Sequence, residues 1–179
     1  MYKQSKIIFS EEQLDKRIKE VAAQIHEDYK DKEKDGIVVV GVLNGAYVFM
    51  ADLVRYLDLD LEIDFIQASS YQNSTVSSGN VKIEKDLTTI LDSKHVIVVE
   101  DIIETGNTLN HIKNLFKDRR AKSVKICALL VKDYPVAHEL ADYMCFDCPN
   151  EFIVGYGLDY AQKYRNLPYI TSLEKQETD

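Results

Sequence analysis

Apolar residues recur along this chain in two alternating patterns, one with a helical period and one as unbroken runs. Ser10 and Gln13 predict a capping box at the start of a first helix. The apolar face of that helix consists of Leu14, Ile18, Val21, Ala22, Ile25 and Tyr29. The run at 37–43, IVVVGVL, has no polar position and is typical of a buried strand.

The same alternation continues toward the C-terminus. Further helices are predicted at 46–57 and from Leu109, where Leu109, Ile112, Leu115 and Phe116 share a face. Further strands are predicted at 61–71, 81–87, 96–100 and 124–131, with two short ones around 143–146 and 152–156. Apolar strands separated by helices predict an α/β fold with a mainly parallel sheet flanked by helices. The 179 residues contain no linker or repeat, so one domain, 1–179, is predicted.

The segment 96–109, VIVVEDIIETGNTL, joins a predicted strand to a predicted helix, which is where parallel sheets bind ligands. The run 105–108, Thr-Gly-Asn-Thr, offers backbone N–H groups and hydroxyls that form a nest for one phosphate. Glu100 and Asp101 would repel an anion unless they hold its hydroxyls or its metal ion. A phosphorylated sugar satisfies both conditions, and a solvated strand end with an ordinary helix cap is the alternative.

Composition narrows the choice of partners. The chain has 22 basic and 30 acidic residues and a net charge of −8, which argues against a nucleic-acid-binding protein. No apolar run reaches transmembrane length, and the N-terminus lacks the core of a signal peptide. The three cysteines include a C-x-x-C pair, Cys145 and Cys148, whose thiols would diverge on a strand. Buried structural cysteines in a reducing cytoplasm are therefore predicted.

The segment 96–109 resembles the phosphoribosyl-pyrophosphate (PRPP) motif of the type I phosphoribosyltransferases, and more narrowly of their hypoxanthine-guanine branch. Segments 41–53 and 69–87 resemble that family's pyrophosphate-binding loop and its mobile active-site loop. Segments 128–132 and 151–170 resemble its purine-binding segments. The resemblance covers nearly the whole chain. It implies the type I phosphoribosyltransferase fold, with a small hood formed by the N-terminal and C-terminal segments and carrying the purine-binding segment.

The activity that this resemblance implies is Mg²⁺-dependent purine salvage in the cytoplasm. Hypoxanthine, and guanine as well, would react with PRPP to give IMP or GMP and pyrophosphate through an oxocarbenium-like state. The resemblance also implies a homodimer or homotetramer, without nucleic-acid or membrane partners. The alternative is a regulator of the same fold that binds RNA, and the acidic composition disfavours it.

The family's roles carry over onto matching residues of the PRPP motif. The 5′-phosphate site is formed by Thr105, Gly106, Asn107 and Thr108. Glu100 and Asp101 would hold the ribose hydroxyls and a metal ion. Glu104 matches the general acid/base, where the family usually has aspartate, so its carboxylate stands one methylene farther from the backbone.

The pyrophosphate site implied by the resemblance consists of Leu43, Asn44, Gly45 and Arg165. The family usually has lysine or arginine at the middle position of this loop. Asn44 keeps the backbone donor of that position but lacks the charge.

The purine site implied by the resemblance is made of Lys132, Phe152, Ile153 and Asp159. Lys132 would donate to the exocyclic oxygen of a 6-oxopurine, Phe152 would stack on the base, and Ile153 would present backbone groups to its edge. Asp159 would border the base pocket and stand near a second metal ion through water. Ser70 and Tyr71 belong to the segment implied to close as a lid.

Overall fold

The computed structural model of this protein describes residues 2–70 and 81–175. The strands of these ranges are β1 Tyr2–Phe9, β2 Ile37–Leu43, β3 Glu62–Ser70, β4 Val81–Lys85, β5 His95–Ile103, β6 Ser123–Val131, β7 Tyr143–Asp147, β8 Ile153–Val154 and β9 Ile170–Lys175. The α-helices are α1 Glu11–Tyr29, α2 Tyr47–Arg55, α3 Asn107–Asp118 and α4 Pro135–Leu140. A short 3-10 helix, Glu33–Asp35, follows α1.

The larger sheet has the strand order β4-β3-β2-β5-β6-β7. Every pair in it is parallel except the pair of β3 with β4 at one edge. The predicted mainly parallel sheet is therefore confirmed. The predicted capping box is also confirmed, since Gln13 donates its N–H to Ser10 Oγ and accepts from the Ser10 N–H through its side chain.

The unbroken apolar runs of β2 and β5 are explained by burial on both faces of the sheet. On β2, Val39 packs in the core to which α1 and α2 contribute, whereas Val38 and Val40 pack in a second core with α3 and α4. On β5, Ile97 and Val99 belong to the first core. Successive side chains of a strand point to opposite faces, so a strand covered on both sides needs apolar residues throughout.

A second sheet, of order β1-β9-β8, is antiparallel and joins the two ends of the chain. The sequence patterns missed β1, β9 and the short helix α4. Residues 4–7 of β1 are exposed, so this strand has no clear apolar face. Its pairing partner lies more than 160 residues away, as in the bond from Thr171 Oγ1 to the Lys6 carbonyl. Pairing at this distance leaves no local signal.

Two predicted strand boundaries were wrong. The strand predicted at 96–100 continues to Ile103, because β6 pairs alongside it up to the partners Ile103 and Val131. The strand predicted at 152–156 is only two residues long. Gly155 and Gly157 adopt positive φ angles of 100° and 99°, which turn the chain out of the extended conformation.

The cysteines form no disulfide, and Cys127 and Cys145 are buried. Cys148 is only half-buried, so the prediction of burial was wrong for this residue. It lies beyond the end of β7, where one side of its thiol faces a surface cavity. Within residues 2–70 and 81–175, none of the helices is both long and apolar enough to span a membrane.

The buried carboxylate of Asp64 ties β3 to the segment that follows β4. Its Oδ2 accepts backbone N–H bonds from Thr88 and Thr89 at 2.8 and 2.9 Å, and its Oδ1 accepts one from Phe65 at 2.7 Å. Burial alone would raise the pKa of Asp64, but the N–H groups of Thr89, Phe65 and Thr88 outweigh it and lower the pKa well below its usual range.

We expect Asp64→Asn to lower the free energy of unfolding by about 1–3 kcal/mol at pH 7, because an amide replaces a charged acceptor. Asp64 has a depressed pKa in the folded state, so its contribution is complete above the unfolded value of about 3.9 and declines as pH falls toward the folded value. Urea unfolding of both proteins between pH 7 and pH 3 measures the difference. The exposed Asp60→Asn is the control, with an expected change within about 0.5 kcal/mol. A difference that grows as the pH falls would contradict the prediction.

Candidate active site

The β5–α3 loop, where the sequence predicts a phosphate site, leads into the uncapped N-terminus of α3. Gly106 precedes the first residue of α3 with a φ of 73°, and it provides no side-chain cap for the helix N-terminus. A Cβ at this position would lie 2.7 Å from a methyl group of Leu140. A cavity of about 350 Å³ opens above the loop and is lined by residues 100–109. The uncapped N–H groups at the start of α3 can therefore receive an anion.

Glu100 and Asp101 lie inside β5 rather than beyond its end, and both are half-buried in the wall of this cavity. Asp101 Oδ1 accepts the Ile102 N–H at 2.8 Å. Glu100 Oε2 is buried and has no hydrogen-bond partner in the described part of the chain. Burial and the neighbouring Asp101 raise the pKa of Glu100 well above its usual range. Burial also raises the pKa of Asp101, although the Ile102 N–H opposes it.

The donor set of these two residues suits a hard divalent cation. Carboxylate oxygens are the ligands that Mg²⁺ prefers, and the unpartnered oxygen of Glu100 is available for one. Across residues 2–70 and 81–175, no cluster of three or more His, Cys, Asp or Glu side chains is placed to hold a metal. Mg²⁺ usually keeps several waters and binds through one or two carboxylates together with substrate phosphates, so a pair of carboxylates fits it.

The loop Leu43-Asn44-Gly45 lies directly against Asp101. A Cβ at Gly45 would stand 1.5 Å from Asp101 Oδ2, so only glycine allows this approach. A Cβ at Gly157 would stand 2.1 Å from the Gly45 carbonyl oxygen. The Leu43–Asn44 peptide bond is cis, and Asn44 is exposed. Three separate segments of the chain therefore meet at Gly45, which contacts the Asp101 side chain on one side and the Gly157 backbone on the other.

Arg165 holds the third of these segments. Its Nη1 donates to the Gly157 carbonyl at 2.7 Å, and its Nη2 pairs with Asp159 Oδ1 at 2.8 Å. The other oxygen of Asp159 accepts the Gln162 N–H at 2.8 Å. The structure thus brings Arg165 and Asp159 together as an ion pair, and the positive charge of Arg165 acts on Asp101.

Lys132 is the first residue beyond β6, and its N–H donates to the Ile103 carbonyl at 2.9 Å. Its ammonium group forms an ion pair with Glu104, and this contact raises the pKa of Lys132. The two residues to which the resemblance assigns oxygen recognition and proton transfer are therefore direct neighbours. A cavity of about 540 Å³ begins at Lys132 and extends to Phe152.

Phe152 exposes 53% of its surface at the far side of this cavity, which is unusual for a large aromatic side chain. Its ring meets the Tyr160 ring edge-on, with centroids 5.7 Å apart. Ile153 is buried, and as part of β8 it pairs with Ser172 of β9. The exposed ring of Phe152 is available for stacking, while the Ile153 side chain belongs to the core.

Three residues of the site were missed by the sequence analysis. Gly157 is needed for the backbone contact with Gly45, Tyr160 supports the Phe152 ring, and Cys148 lines the cavity beside Lys132. The alternating glycines of the run VGYGLDY were a signal for the first. No motif marks the other two, because the contact of Tyr160 with Phe152 and the place of Cys148 beside Lys132 are set by the folded chain.

The lid prediction falls largely outside the described residues. Ser70 is the last residue of β3 and pairs with Val81 of β4, and Tyr71 lies beyond the described range.

The chain is similar to known proteins both in sequence and in overall fold. A family model described as phosphoribosyl transferase domain matches residues 4–161. The hypoxanthine-guanine phosphoribosyltransferase of Bacillus subtilis is 48% identical over 170 residues, covering 94% of this chain and 93% of that protein. A solved hypoxanthine phosphoribosyltransferase from Staphylococcus aureus has a TM-score of 0.88 and 42% identity, covering 96% of this chain and 92% of the other.

A further similar structure comes from work on Trypanosoma cruzi hypoxanthine phosphoribosyl transferase, concerning the role of its C-terminal region in oligomeric state and enzymatic activity. It has a TM-score of 0.87 and 39% identity, and the match covers 96% of this chain and 92% of that one.

The contact between Gly157 and Gly45 predicts an order of stabilities for two alanine variants. Gly157→Ala adds a Cβ against a backbone oxygen and at a positive φ, so we expect it to lower the free energy of unfolding by more than about 2 kcal/mol. Gly45→Ala meets only the end of the Asp101 side chain, which can rotate away, and should cost less. Urea unfolding of both variants measures the order. An equal or larger loss for Gly45→Ala would contradict it.

Proposed function

Because the chain belongs to the phosphoribosyltransferase family, we propose that it is a hypoxanthine-guanine phosphoribosyltransferase of purine salvage. It transfers the phosphoribosyl group of PRPP to hypoxanthine, and to guanine, with release of pyrophosphate. One observation carries the proposal: the uncapped N-terminus of α3, with two carboxylates in the C-terminal half of β5, adjoins a cavity with a lysine cation and an exposed aromatic ring.

PRPP binds across the loops at the carboxyl ends of the strands. Its 5′-phosphate is received by residues 105–108 and its ribose hydroxyls by Glu100 and Asp101. Its pyrophosphate lies against residues 43–45, with Arg165 nearby. The uncapped start of α3, the partnerless Glu100 oxygen and the contact of Gly45 with Asp101 support this placement.

Glu100 and Asp101 would hold Mg²⁺ directly or through water, and Asp159 would stand near a second ion through water. When bound, the metal neutralises the charge that develops on the departing pyrophosphate. The support for Glu100 is its free oxygen. Asp159 is less suited to bind a metal ion, because its carboxylate already contacts Arg165 and accepts the Gln162 N–H.

The protein's own groups position the base and move its proton. Lys132 donates to the 6-oxygen of the purine, Phe152 stacks on the ring, and backbone groups of Ile153 contact its edge. As the ring nitrogen bonds to the anomeric carbon, the bond to pyrophosphate breaks and its electron pair leaves with pyrophosphate. The carboxylate of Glu104 receives the proton that the imidazole ring gives up.

We also propose a cytoplasmic location and assembly into a homodimer or homotetramer. The three cysteines without disulfides favour a reducing compartment. The proposed assembly is supported by the Trypanosoma cruzi relative, in which the C-terminal region has a role in the oligomeric state. The RNA-binding alternative gains no support, since the relatives described above are named for an enzyme activity.

The proposed function is tested by incubating the protein with Mg²⁺, PRPP and hypoxanthine and following IMP by chromatography. Guanine and adenine are assayed in parallel. IMP and GMP formation without AMP formation supports the proposal. Absence of IMP with folded protein, or a clear preference for adenine, would exclude it.

Lys132→Ala should weaken the use of 6-oxopurines and leave PRPP binding nearly intact, because the lost contact is to the base. Loss of a charge-assisted hydrogen bond costs about 1.5–3 kcal/mol, which corresponds to a fall of about 10- to 150-fold in kcat/KM. Steady-state kinetics with hypoxanthine and guanine measure this change. Exposed Lys117→Ala on α3 is the control. Unchanged kcat/KM for both bases would remove Lys132 from the site.

Glu104→Ala should lower kcat by about 10²–10⁴ in both directions of the reaction, because a general acid–base group is lost. PRPP affinity should change little, and Glu104→Asp should keep substantial activity because it keeps a carboxylate. Single-turnover kinetics, in which chemistry is observed directly, make the measurement. Turnover of hypoxanthine by Glu104→Ala at the wild-type rate would assign catalysis to the other groups alone.

A further inference from the structure

Glu104 and Lys132 stand side by side because β5 and β6 are in register. Ile103 pairs with Val131, and the Lys132 N–H bonds to the Ile103 carbonyl, so the next residue of each strand is also a neighbour. The two side chains reach each other and form an ion pair. Both remain partly exposed to the adjoining cavities, so a ligand can reach the pair.

The other acids that line the cavity between Lys132 and Phe152 are not partners of this ion pair. Glu151 lines the same cavity, and its carboxylate pairs with Lys6 at 2.8 Å. Asp133 follows Lys132 and is exposed. Within the described part of the chain, Glu104 is the acid with which Lys132 forms an ion pair. The Lys132 ammonium group thus faces a carboxylate before any base is bound.

We infer that Glu104 is also a positioning residue for Lys132: it holds the base-recognition cation through the ion pair, and the incoming purine binds by exchanging partners with this pair. The inference rests on the proposed function and adds a role to Glu104 beyond proton transfer. The 6-oxygen of the purine replaces the carboxylate on Lys132, and the ring N–H of the purine replaces the ammonium group on Glu104. Both charges therefore keep a hydrogen-bond partner throughout.

The exchange has a consequence for affinity. Part of the binding free energy of the base is used to separate Lys132 from Glu104, so a variant without the carboxylate charge should bind the base more tightly while reacting more slowly. Ion pairs that are partly exposed contribute up to about 1 kcal/mol, which corresponds to a factor of about five. Glutamine is the informative replacement, because its side-chain oxygen still accepts the purine N–H.

The first experiment tests the Glu104–Lys132 ion pair through the reactivity of Lys132, without any catalytic turnover. Lys132 in the ligand-free protein is acylated with an amine-reactive reagent, and its labelling rate is followed by peptide mass spectrometry. Glu104→Gln should label about two to five times faster than wild type, because the amine is released. Exposed Glu139→Gln on α4 is the matched control, and Lys132 in this variant should be labelled at the wild-type rate. Equal rates in wild type and Glu104→Gln would overturn the inference.

The second experiment separates positioning from proton transfer. In Glu104→Gln, kcat should fall while KM for hypoxanthine falls about two- to fivefold, and slow chemistry brings KM close to the dissociation constant. A fall in kcat with KM unchanged or raised would leave Glu104 with proton transfer alone and overturn the inference. If the wild-type protein does not turn over hypoxanthine, the proposed function fails and the exchange step fails with it. Normal wild-type turnover with equal labelling rates overturns only the inference.

Discussion

The register of β5 with its two neighbours is the constraint on which the site depends. β5 lies at the centre of the six-stranded sheet, hydrogen-bonded to β2 on one side and to β6 on the other. Its apolar residues enter the cores on both faces of the sheet, so a shift by one residue would turn each side chain into the wrong core. Burial in the sheet therefore fixes where β5 ends, and with it the positions of Glu104 and of the start of α3.

Two acidic side chains of the site lie where burial makes their negative charge unfavourable for folding. Glu100 and Asp101 are held in a partly buried wall, where burial raises the pKa of both carboxyls. A carboxylate oxygen without a partner costs free energy in the ligand-free protein. Such uncompensated groups are typical of sites whose ligands complete the hydrogen bonding. Lys132 and Glu104 show the opposite arrangement, since each provides the ionic partner of the other.

Close backbone contact joins the parts of the site that come from distant segments. Gly45, in the loop after β2, leaves room for the Asp101 carboxylate, and Gly157 leaves room for the Gly45 carbonyl. Arg165 adds a further contact, because its guanidinium group donates a hydrogen bond to the Gly157 carbonyl. Because Gly157 meets a backbone oxygen, side-chain substitutions elsewhere cannot restore this contact, and the relative placement of the segments that contain Gly45 and Gly157 depends on glycine.

The sequence by itself determined the order of the main elements, the doubly covered parallel sheet and the position of the strand-to-helix loop for which a phosphate site is predicted. These features are local: a strand buried on both faces is apolar throughout, and the Thr-Gly-Asn-Thr run is contiguous with it. The resemblance to phosphoribosyltransferases rested on the same contiguous motifs. Only the tertiary structure decided the β1-β9-β8 sheet, the Phe152–Tyr160 contact, the Gly45–Gly157 contact and the Glu104–Lys132 ion pair. All but the Phe152–Tyr160 contact join residues from separate segments of the chain, and a periodic pattern carries no information about which side chains become neighbours.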